Sequence, residues 1–330
     1  MQDSSQTLSM SGMRPTGQLH LGHLFGTLAL WTQASEMEGA FFEIADLHAF
    51  TTSYANPQLI HDMRQELLLD WLAAGVDPNK ATIFLQSAIP EISELNTILA
   101  MILPVAWLQR VPTYKEQIAA LGPEIATYGF LGYPLLQLCD IAVFRAHRVP
   151  VGKDQLSHLE LGREIIRRFN HFYGDVLVEP QALLSAFPDV PGTDGRKMSK
   201  SYHNTIAIAD DAATTQQKIR GMITDPQKIR KNDPGHPEIC PVFKLHTMVN
   251  AERTPAISED CKSGALGCVA CKTELSEKLT SHLAPIRARR HELAQDPAKL
   301  ERILSTGNQR AREAASTTLH DVRTALKIGN

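Results

Sequence analysis

"RPTGQLHLGH", residues 14–23, is a glycine-rich stretch that directly follows the first β-like run of the chain, TLSMSG at residues 7–12. Glycine lets a ligand approach the backbone closely, and the amino terminus of a following helix favours an anion. His20 and His23 are three residues apart, so on a helix they share one face. The stretch predicts a strand-to-helix junction whose two imidazoles face a phosphate. Two alternatives remain open: a metal bound by the pair, or one histidine that caps the helix and one that is packed in the core.

Further β-like runs alternate with helical patterns in the first half of the chain. These runs are GAFFEIAD (39–46), ATIFLQSA (81–88) and the segment near RVPVGKDQ (148–155). Residues 57–75 between them carry apolar side chains at helical spacing, with Gly75 as a stop signal. This alternation predicts an α/β fold with a doubly wound parallel sheet. Ligands bind such sheets at the carboxyl ends of the strands, where His20, Asp46, His48 and Asp154 fall.

The β-like runs stop after about residue 204, and segments 210–223, 273–293 and 297–326 have helical patterns. We therefore predict a disordered tail at residues 1–6, a catalytic domain at 7–204 and a mainly helical C-terminal domain at 205–330. The last helix of that C-terminal domain is a candidate to pack back on the catalytic domain.

Composition describes an ordinary soluble globular protein: 330 residues, 43% hydrophobic, 21% charged, net charge −3. This charge argues against sequence-blind coating of nucleic acid. From Lys272 onward, however, 11 Lys/Arg face 7 Asp/Glu, a hint of a polyanion near the C-terminal part. The first residues lack a signal-peptide pattern, and no apolar run is long enough for a bilayer. We expect a cytoplasmic protein with no membrane partner.

A second motif, GTDGRKMSKS at residues 192–201, places Lys197 and Lys200 on a loop between glycines and serines. Closely spaced lysines on such a loop can neutralise the charge of a leaving pyrophosphate, whereas a lone pair of lysines is more often a solvated turn. HLGH followed by KMSKS on a doubly wound, Rossmann-type domain resembles a class I aminoacyl-tRNA synthetase. Neither motif alone carries this resemblance.

The resemblance implies a role for each motif. His20 and His23 would stabilise charge on the α-phosphate of ATP while an amino-acid carboxylate attacks it, and Mg²⁺ would accompany the nucleotide. Lys197 and Lys200 would hold the pyrophosphate side. The implied ATP site consists of Arg14, Thr16, Gly17, His20, Gly22, His23, Gly152, Asp154, Gln155, Lys197, Met198, Ser199, Lys200 and Ser201.

The segment YPLLQLCDI (133–141) indicates the amino acid. On a helix, Tyr133, Gln137 and Asp140 share one face of an otherwise apolar segment, which is typical of a pocket with a few oriented hydrogen bonds. An indole N–H is a donor only and needs an acceptor such as Asp140, but a phenol can use the same acceptor. The stripe itself leaves tryptophan and tyrosine open.

The surrounding segments at 41–52, 106–117 and 149–170 resemble tryptophanyl-tRNA synthetases, and the resemblance covers most of residues 7–250. One departure is Lys153, where the family often has an acidic residue. The resemblance implies a homodimeric tryptophan–tRNA ligase that binds ATP, L-tryptophan and tRNA(Trp); a tyrosyl-tRNA synthetase is the alternative. A nucleotidyltransferase and a non-catalytic RNA-binding relative fit the two motifs less well. The implied tryptophan site consists of Met10, His48, Tyr133, Gln137, Asp140, Val149 and Gln155.

Four cysteines follow the change of composition: Cys240, Cys261, Cys268 and Cys271, spaced C-x20-C-x6-C-x2-C. Clustered thiols in a cytosolic protein indicate a metal site. Structural zinc sites usually offer two close pairs, whereas an all-cysteine [4Fe–4S] cluster tolerates uneven spacing. A subset of tryptophanyl-tRNA synthetases resembles this pattern and carries such a cluster. We expect a [4Fe–4S] cluster, with zinc as the alternative.

Overall fold

The computed structural model describes residues 8–36, 39–185 and 189–329, so the predicted tail at 1–6 lies outside the described residues. Within these ranges the sheet has five parallel strands in the order β3-β2-β1-β4-β5. The strands are β1 (Ser9–Met13), β2 (Ala40–Ile44), β3 (Ala81–Leu85), β4 (Arg148–Val151) and β5 (Gln181–Leu184). The predicted doubly wound α/β fold with a helical C-terminal part is confirmed.

Helices cover both faces of this sheet and make up the C-terminal part. The helices of the first half are α1 (Leu21–His23), α2 (Ala29–Ser35), α3 (Asp46–Ser53), α4 (Pro57–Ala74), α5 (Pro90–Ala100), α6 (Val105–Gln109), α7 (Pro112–Leu121), α8 (Tyr128–Ala142) and α9 (Leu156–Tyr173). Those of the second half are α10 (Ala212–Gly221), α11 (Pro241–Val249), α12 (Thr254–Lys262), α13 (Cys268–Ala294) and α14 (Pro297–Leu326). A π-helical stretch, Leu24–Leu28, joins α1 to α2. No helix in the described part of the chain is both long and apolar enough to span a membrane.

The order of the strands reverses at β1, which lies between β2 and β4. The chain leaves β1 through residues 14–20 and enters α1, so the first motif lies at this switch point. In open parallel sheets the crevice beside such a point is where ligands bind. The topology therefore places the HLGH turn at the crevice between the carboxyl ends of β1 and β4.

Alternate side chains of β2 enter two separate cores. Phe42 stacks on Trp31 with 4.3 Å between ring centroids, and Trp71 meets Trp31 edge-on at 4.7 Å. On the opposite face, Phe41 stacks on Phe144 at 4.6 Å. Successive side chains of a strand point to opposite faces, so a continuous apolar run is what a sheet covered on both sides requires. Residues Met10 and Val149 belong to the Phe41 side of the sheet.

Helix α14 lies along the free edge of β3. A Cβ at Gly307 would lie 1.7 Å from the carbonyl oxygen of Ile83, so only glycine permits this approach. The side chain of Asn308 accepts a hydrogen bond from the backbone N–H of Leu85 at 2.9 Å. Farther along, Arg323 forms an ion pair with Glu94. The C-terminal helix thus covers one edge of the sheet.

Candidate active site

The HLGH turn fixes the tautomers of its two histidines. His20 is the N-cap of α1, and its Nδ1 accepts a hydrogen bond from the backbone N–H of Gly22 at 3.1 Å. The Nδ1 of His23 accepts one from the backbone N–H of His20 at 3.2 Å. A neutral imidazole with Nδ1 as acceptor carries its proton on Nε2. Both rings, whose centroids are 3.9 Å apart, therefore have an N–H donor at their outer end.

Burial keeps these imidazoles uncharged. It lowers the pKa of His20 to about 4, with a further contribution from the charge of Lys200. The pKa of His23 also lies well below its ordinary value because of burial and the neighbouring His20 and Lys200. At neutral pH the pair consequently offers two neutral N–H donors, which suit an anion. A metal would need a free nitrogen lone pair, and the Nδ1 lone pairs of both rings are already engaged in hydrogen bonds.

The two motifs meet in the structure. Residues 206–208, just after the KMSKS loop, pair with residues 19–21: the N–H of Leu21 donates to the oxygen of Ile206 at 3.0 Å, and that of Ile208 to the oxygen of Leu19 at 2.9 Å. The Nζ of Lys200 donates to the carbonyl oxygen of Gly17 at 2.8 Å. Burial and the nearby Arg14 lower the pKa of Lys200 to about 8. The HLGH turn and the KMSKS loop therefore lie against each other in the fold.

Lys197 lies on the other side of the loop and faces the VGKDQ turn. Its Nζ is 3.9 Å from Oδ1 of Asp154 and 3.7 Å from Oδ1 of Asp189, and its side chain is 54% exposed. Met198 is buried beside Gly22, where an added Cβ would lie 3.8 Å from the Cβ of Met198. The loop thus places one lysine in the open crevice and the other against the HLGH turn.

Asn204 organises this loop, and sequence analysis missed it. Its side-chain oxygen accepts from the backbone N–H of Ser199 at 2.8 Å, and its Nδ2 donates to the oxygen of Lys197 at 3.2 Å. Nδ2 also donates to Oδ1 of Asp194 at 2.7 Å. A lone asparagine after a lysine-rich motif gives no signal of this role.

The side chain of Ser201, also predicted for the ATP site, lies outside the described part of the structure.

The rest of the predicted ATP site surrounds the same crevice. Arg14 donates from Nη1 to Oγ1 of Thr52 at 3.4 Å. The backbone N–H of Thr16 donates to the oxygen of Arg14 at 2.9 Å. Gly17 has φ +120°, a left-handed conformation that favours glycine. Gly152 begins the turn that carries Asp154 and Gln155 after β4.

Asp140 on α8 is buried and accepts two side-chain hydrogen bonds. Its Oδ2 is 2.9 Å from Nε2 of His48, and its Oδ1 accepts from Nε2 of Gln86 at 2.8 Å. Gln86 also accepts, through Oε1, the backbone N–H of His48 at 3.1 Å. Gln86 directly follows β3, so its position at a strand's carboxyl end is the signal that could have revealed it.

Tyr133 and Gln137 on α8 contact a different element. The hydroxyl of Tyr133 is 2.9 Å from Nε2 of His158, whose Nδ1 is 2.9 Å from Oε1 of Gln155. Nε2 of Gln137 donates to the same Oε1 at 3.2 Å. The ring centroids of Tyr133 and His48 are 6.4 Å apart, so this hydrogen-bonded group lies beside the one around Asp140. The predicted polar face of α8 is thus present, and His158 is an additional member.

The four cysteines line one small cavity of about 20 Å³ between α11, α12 and α13. Burial, together with the other three thiols, raises the pKa of Cys271 to about 12. Burial also raises the pKa of Cys261, against the opposing charge of Lys228. Across residues 8–36, 39–185 and 189–329, however, no three His, Cys, Asp or Glu side chains are arranged to hold a metal ion. The structure brings the cysteines together but does not show an iron–sulfur or zinc site.

An apolar groove of about 600 Å³ lies elsewhere, between α3, α5, α6 and α8. Residues such as Phe50, Leu103 and Leu135 line it. At its rim Val105 is 57% exposed and Tyr128 is 81% exposed. This α3–α8 groove is distinct from the crevice at the switch point, because none of the predicted ATP- or tryptophan-binding residues lines it.

Three of the arginines of the last helices are turned into the protein. Arg287 donates to Oγ1 of Thr215 at 2.8 Å, and Arg289 donates to the oxygen of Ala73 at 2.8 Å. Arg290 pairs with Asp70 at 2.8 Å and also with Glu66. These three side chains stabilise the contact between α13 and the rest of the fold.

The parallel sheet with its two motifs at the switch point defines a class I aminoacyl-tRNA synthetase. The family described as tRNA synthetases class I (W and Y) matches residues 3–284, so the chain belongs to this family.

Within that family the chain groups with tryptophan–tRNA ligases. It is 44% identical to the tryptophan–tRNA ligase of Thermotoga maritima, over 97% of this chain and 98% of that protein. Its identity to the one from Aquifex aeolicus is 41%, over 97% and 99%. The crystal structure of the Campylobacter jejuni tryptophanyl-tRNA synthetase, complexed with ADP and tryptophan, matches with a TM-score of 0.86 at 31% identity, over 97% of this chain and 99% of that one. These relatives favour tryptophan over the tyrosine alternative.

Proposed function

We propose that this chain activates L-tryptophan with ATP, releasing pyrophosphate, and transfers the tryptophanyl group from the adenylate to tRNA(Trp) in the crevice between the HLGH turn and the KMSKS loop. The observation that carries this proposal is the closure of the two motifs on each other through Lys200 and Gly17. Tryptophan-dependent exchange of pyrophosphate into ATP tests it. Exchange supported by tyrosine and not by tryptophan would overturn it.

His20 and His23 act on the α-phosphate. The tryptophan carboxylate attacks that phosphorus, the bond to the bridging oxygen of pyrophosphate breaks, and negative charge builds on the non-bridging oxygens. Neutral Nε2–H donors aimed at these oxygens stabilise the charge without having to reorganise. Because the carboxylate is already a nucleophile, the step needs no general base and no covalent intermediate with the protein. Catalysis consists of positioning and electrostatics.

Lys197 and Lys200 act on the leaving pyrophosphate. The fixed charge of Lys200 beside Gly17 and the more exposed charge of Lys197 lie on two sides of the crevice. Mg²⁺ supplies further neutralisation of phosphate charge when it arrives with ATP. The side chains that we assign to the phosphates are cationic or neutral donors, a set that fits phosphate oxygens. We therefore propose that the phosphates of the nucleotide, rather than these side chains, bind Mg²⁺.

The tryptophan pocket is formed on the α8 side. Asp140 accepts the indole N–H, while Met10 and Val149 supply apolar contact from the sheet. Tyr133, Gln137 and Gln155 form the polar group that orients the amino-acid end. This arrangement is supported by the hydrogen bonds that hold Asp140 through His48 and Gln86.

For Cys240, Cys261, Cys268 and Cys271 we propose a [4Fe–4S] cluster, with zinc as the alternative. Four thiol sulfurs around one cavity are a donor set that suits either centre, and bound cations would offset both the cost of burying thiolates and their mutual repulsion. Bound by these four cysteines, such a centre would link α11, α12 and α13. Iron and acid-labile sulfide in anaerobically purified protein, with loss of colour in Cys268→Ser, test this; stoichiometric zinc in colourless protein favours the alternative.

We also propose a homodimer joined through the α3–α8 groove. Its apolar lining and the exposed Val105 and Tyr128 resemble the buried core of a subunit interface. Sedimentation velocity of the Tyr128→Glu variant tests the assignment: the variant should sediment as a monomer while the parent sediments as a dimer. A parent that is monomeric at all concentrations would contradict it.

We also propose that the chain divides into two domains at residue 204. Residues 7–204 carry both motifs and the sheet, and the helices of 205–330 form the part that we assign to the anticodon arm of tRNA. With Arg287, Arg289 and Arg290 engaged internally and Arg312 paired with Glu91 at 3.3 Å, Arg302 and Arg310 remain as candidates for phosphate contacts. Since the reaction uses tRNA, we assign the protein to the cytoplasm.

A further inference from the structure

We propose that Glu43 is a positioning residue of the tryptophan pocket: its carboxyl group stays neutral, donates a hydrogen bond to Asp140, and so fixes Asp140 as the acceptor of the indole N–H. This inference rests on the proposed role of Asp140. It assigns to Glu43 no contact with the substrate itself.

Glu43 is a carboxyl group in an environment that does not accommodate a charge. It lies near the end of β2 and is 1% exposed. In the part of the chain that the structure describes, no lysine, arginine or histidine forms an ion pair with it, and its Oε2 has no hydrogen-bond partner. An isolated buried carboxylate is costly, and such a group normally becomes protonated instead.

The carboxyl group lies at the crevice side of the sheet. Glu43 pairs in register with Gly12 of β1, and a Cβ on Gly12 would lie 3.0 Å from Oε1 of Glu43. Gly12 is itself exposed and is the penultimate residue of β1, the strand that leads into the HLGH turn. The missing side chain at position 12 therefore leaves the space that the carboxyl group of Glu43 occupies beneath the substrate crevice.

Three carboxyl groups lie close together here, those of Glu43, Asp46 and Asp140. Glu43 is the one whose surroundings favour the protonated form. Asp140 already receives donors from His48 and Gln86. Asp46 lies 3.0 Å from Nη2 of Arg64, with which it forms an ion pair. Burial, the charge of Asp140 and a hydrogen bond toward it, and the charge of Asp46 raise the pKa of Glu43 well above its ordinary value.

A protonated Glu43 completes the support of Asp140. Three donors from three different elements, His48 of α3, Gln86 after β3 and Glu43 of β2, then hold one carboxylate. Fixing an acceptor in advance reduces the reorganisation that substrate binding requires. The remaining lone pairs of Asp140 are left for a donor that comes from the crevice, which favours a ring with an N–H over one without it.

The test compares Glu43→Gln, which keeps a donor, with Glu43→Ala and Glu43→Met, which lack one. Pyrophosphate exchange gives KM for tryptophan and for ATP, and a competing substrate, 3-benzothienyl-alanine, replaces the indole N–H with sulfur. We expect Glu43→Ala and Glu43→Met to raise KM for tryptophan about tenfold or more and to lower the preference for tryptophan by a similar factor. KM for ATP should stay within about twofold, and Glu43→Gln within about threefold of the parent.

Several outcomes separate this inference from the proposed function. Donor-free variants with the parent's KM and preference would overturn the role of Glu43, as would a Glu43→Gln variant as impaired as Glu43→Met. Glu43→Met fills the volume of the side chain, so it keeps the test decisive if Glu43→Ala does not fold. If Asp140→Asn loses the preference for the indole N–H while Glu43→Met retains it, only this inference fails. If Asp140→Asn retains it, the proposed pocket itself fails.

Discussion

Arg290 and Asp70 form an ion pair that connects helix α13 to the HLGH turn. Nε of Arg290 lies 2.8 Å from Oδ1 of Asp70, and Oδ2 of the same carboxylate accepts the backbone N–H of Leu19 at 3.2 Å. Leu19 is the residue before His20. A side chain of the C-terminal half thus supports, through one buried carboxylate, the backbone that positions the phosphate-facing histidines.

The Arg290→Ala variant should be strongly destabilised. Asp70 is 1% exposed, and removal of its partner leaves a buried unpaired charge, which costs about 3–5 kcal/mol. Urea unfolding measures the difference. Arg302→Ala is the matched control, because its ion pair with Asp296 spans 3.9 Å and the Arg302 side chain is 69% exposed, so we expect a loss below about 1 kcal/mol. Equal losses in the two variants would contradict the structural role of the Asp70 pair.

Gly22→Ala should impair activity through His20. A Cβ at position 22 would lie 2.8 Å from Cε1 of His20 and 2.9 Å from its Nδ1, so the ring must move and its capping hydrogen bond is lost. We expect kcat for pyrophosphate exchange to fall by about a hundredfold, the scale of losing one oriented donor. Gly221→Ala is the control, since nothing lies within 4 Å of its added Cβ. Unchanged exchange in Gly22→Ala would show that the ring position does not matter.

Catalytic efficiency toward ATP should decrease as the pH rises above 8. The pKa of Lys200 in the free protein is about 8, so the ammonium group loses its charge there. The pH dependence of kcat/KM reports groups of the free enzyme, so we expect an alkaline limb near that value. In Lys200→Arg the guanidinium keeps its charge, and the limb should move upward or disappear. A limb that is the same in both proteins would assign the titration to another group.

Stability should decrease between pH 6.5 and 4 partly because of His20. Its pKa is about 4 in the folded protein against an ordinary 6.5, so in this window the unfolded chain binds more protons and acid favours unfolding. Replacing the ring in His20→Gln should reduce the slope of unfolding free energy against pH within the window. The slope at pH 7 to 8 should not change. Urea unfolding across this pH range supplies the comparison.

Local patterns of the sequence predicted most of the sheet, whereas the resemblance to class I synthetases assigned both motifs to one nucleotide. The runs at residues 39–46 and 81–88 are β2 and β3, and the helix predicted at 57–75 is α4, ended by Gly75 with φ 109°. These segments have their own periodicity or punctuation, which is why they could be identified. Strand β5 was missed because its four residues are half-buried or exposed and carry no alternation.

The parts of the site that could not be predicted depend on partners distant in sequence. Asp70 is one of several polar residues of α4, and its partner Arg290 is 220 residues away in the sequence. Glu43 lies within a β-like run and shows its role only once Gly12 and Asp140 are placed around it. For the four cysteines, spacing predicted their gathering around one cavity, while the identity of a bound centre is set by metal chemistry that spacing alone does not determine.

The contact of Gly307 and Asn308 with β3 has a consequence for synthesis of the chain. A ribosome releases β3 more than two hundred residues before Asn308, which later accepts the N–H of Leu85. Until then the edge of β3 presents unpaired backbone groups, the kind of surface that pairs with other chains. During most of translation the sheet therefore has an uncovered edge at β3 that can pair with other chains. The final thirty-residue helix, α14, covers this edge only when translation is almost finished.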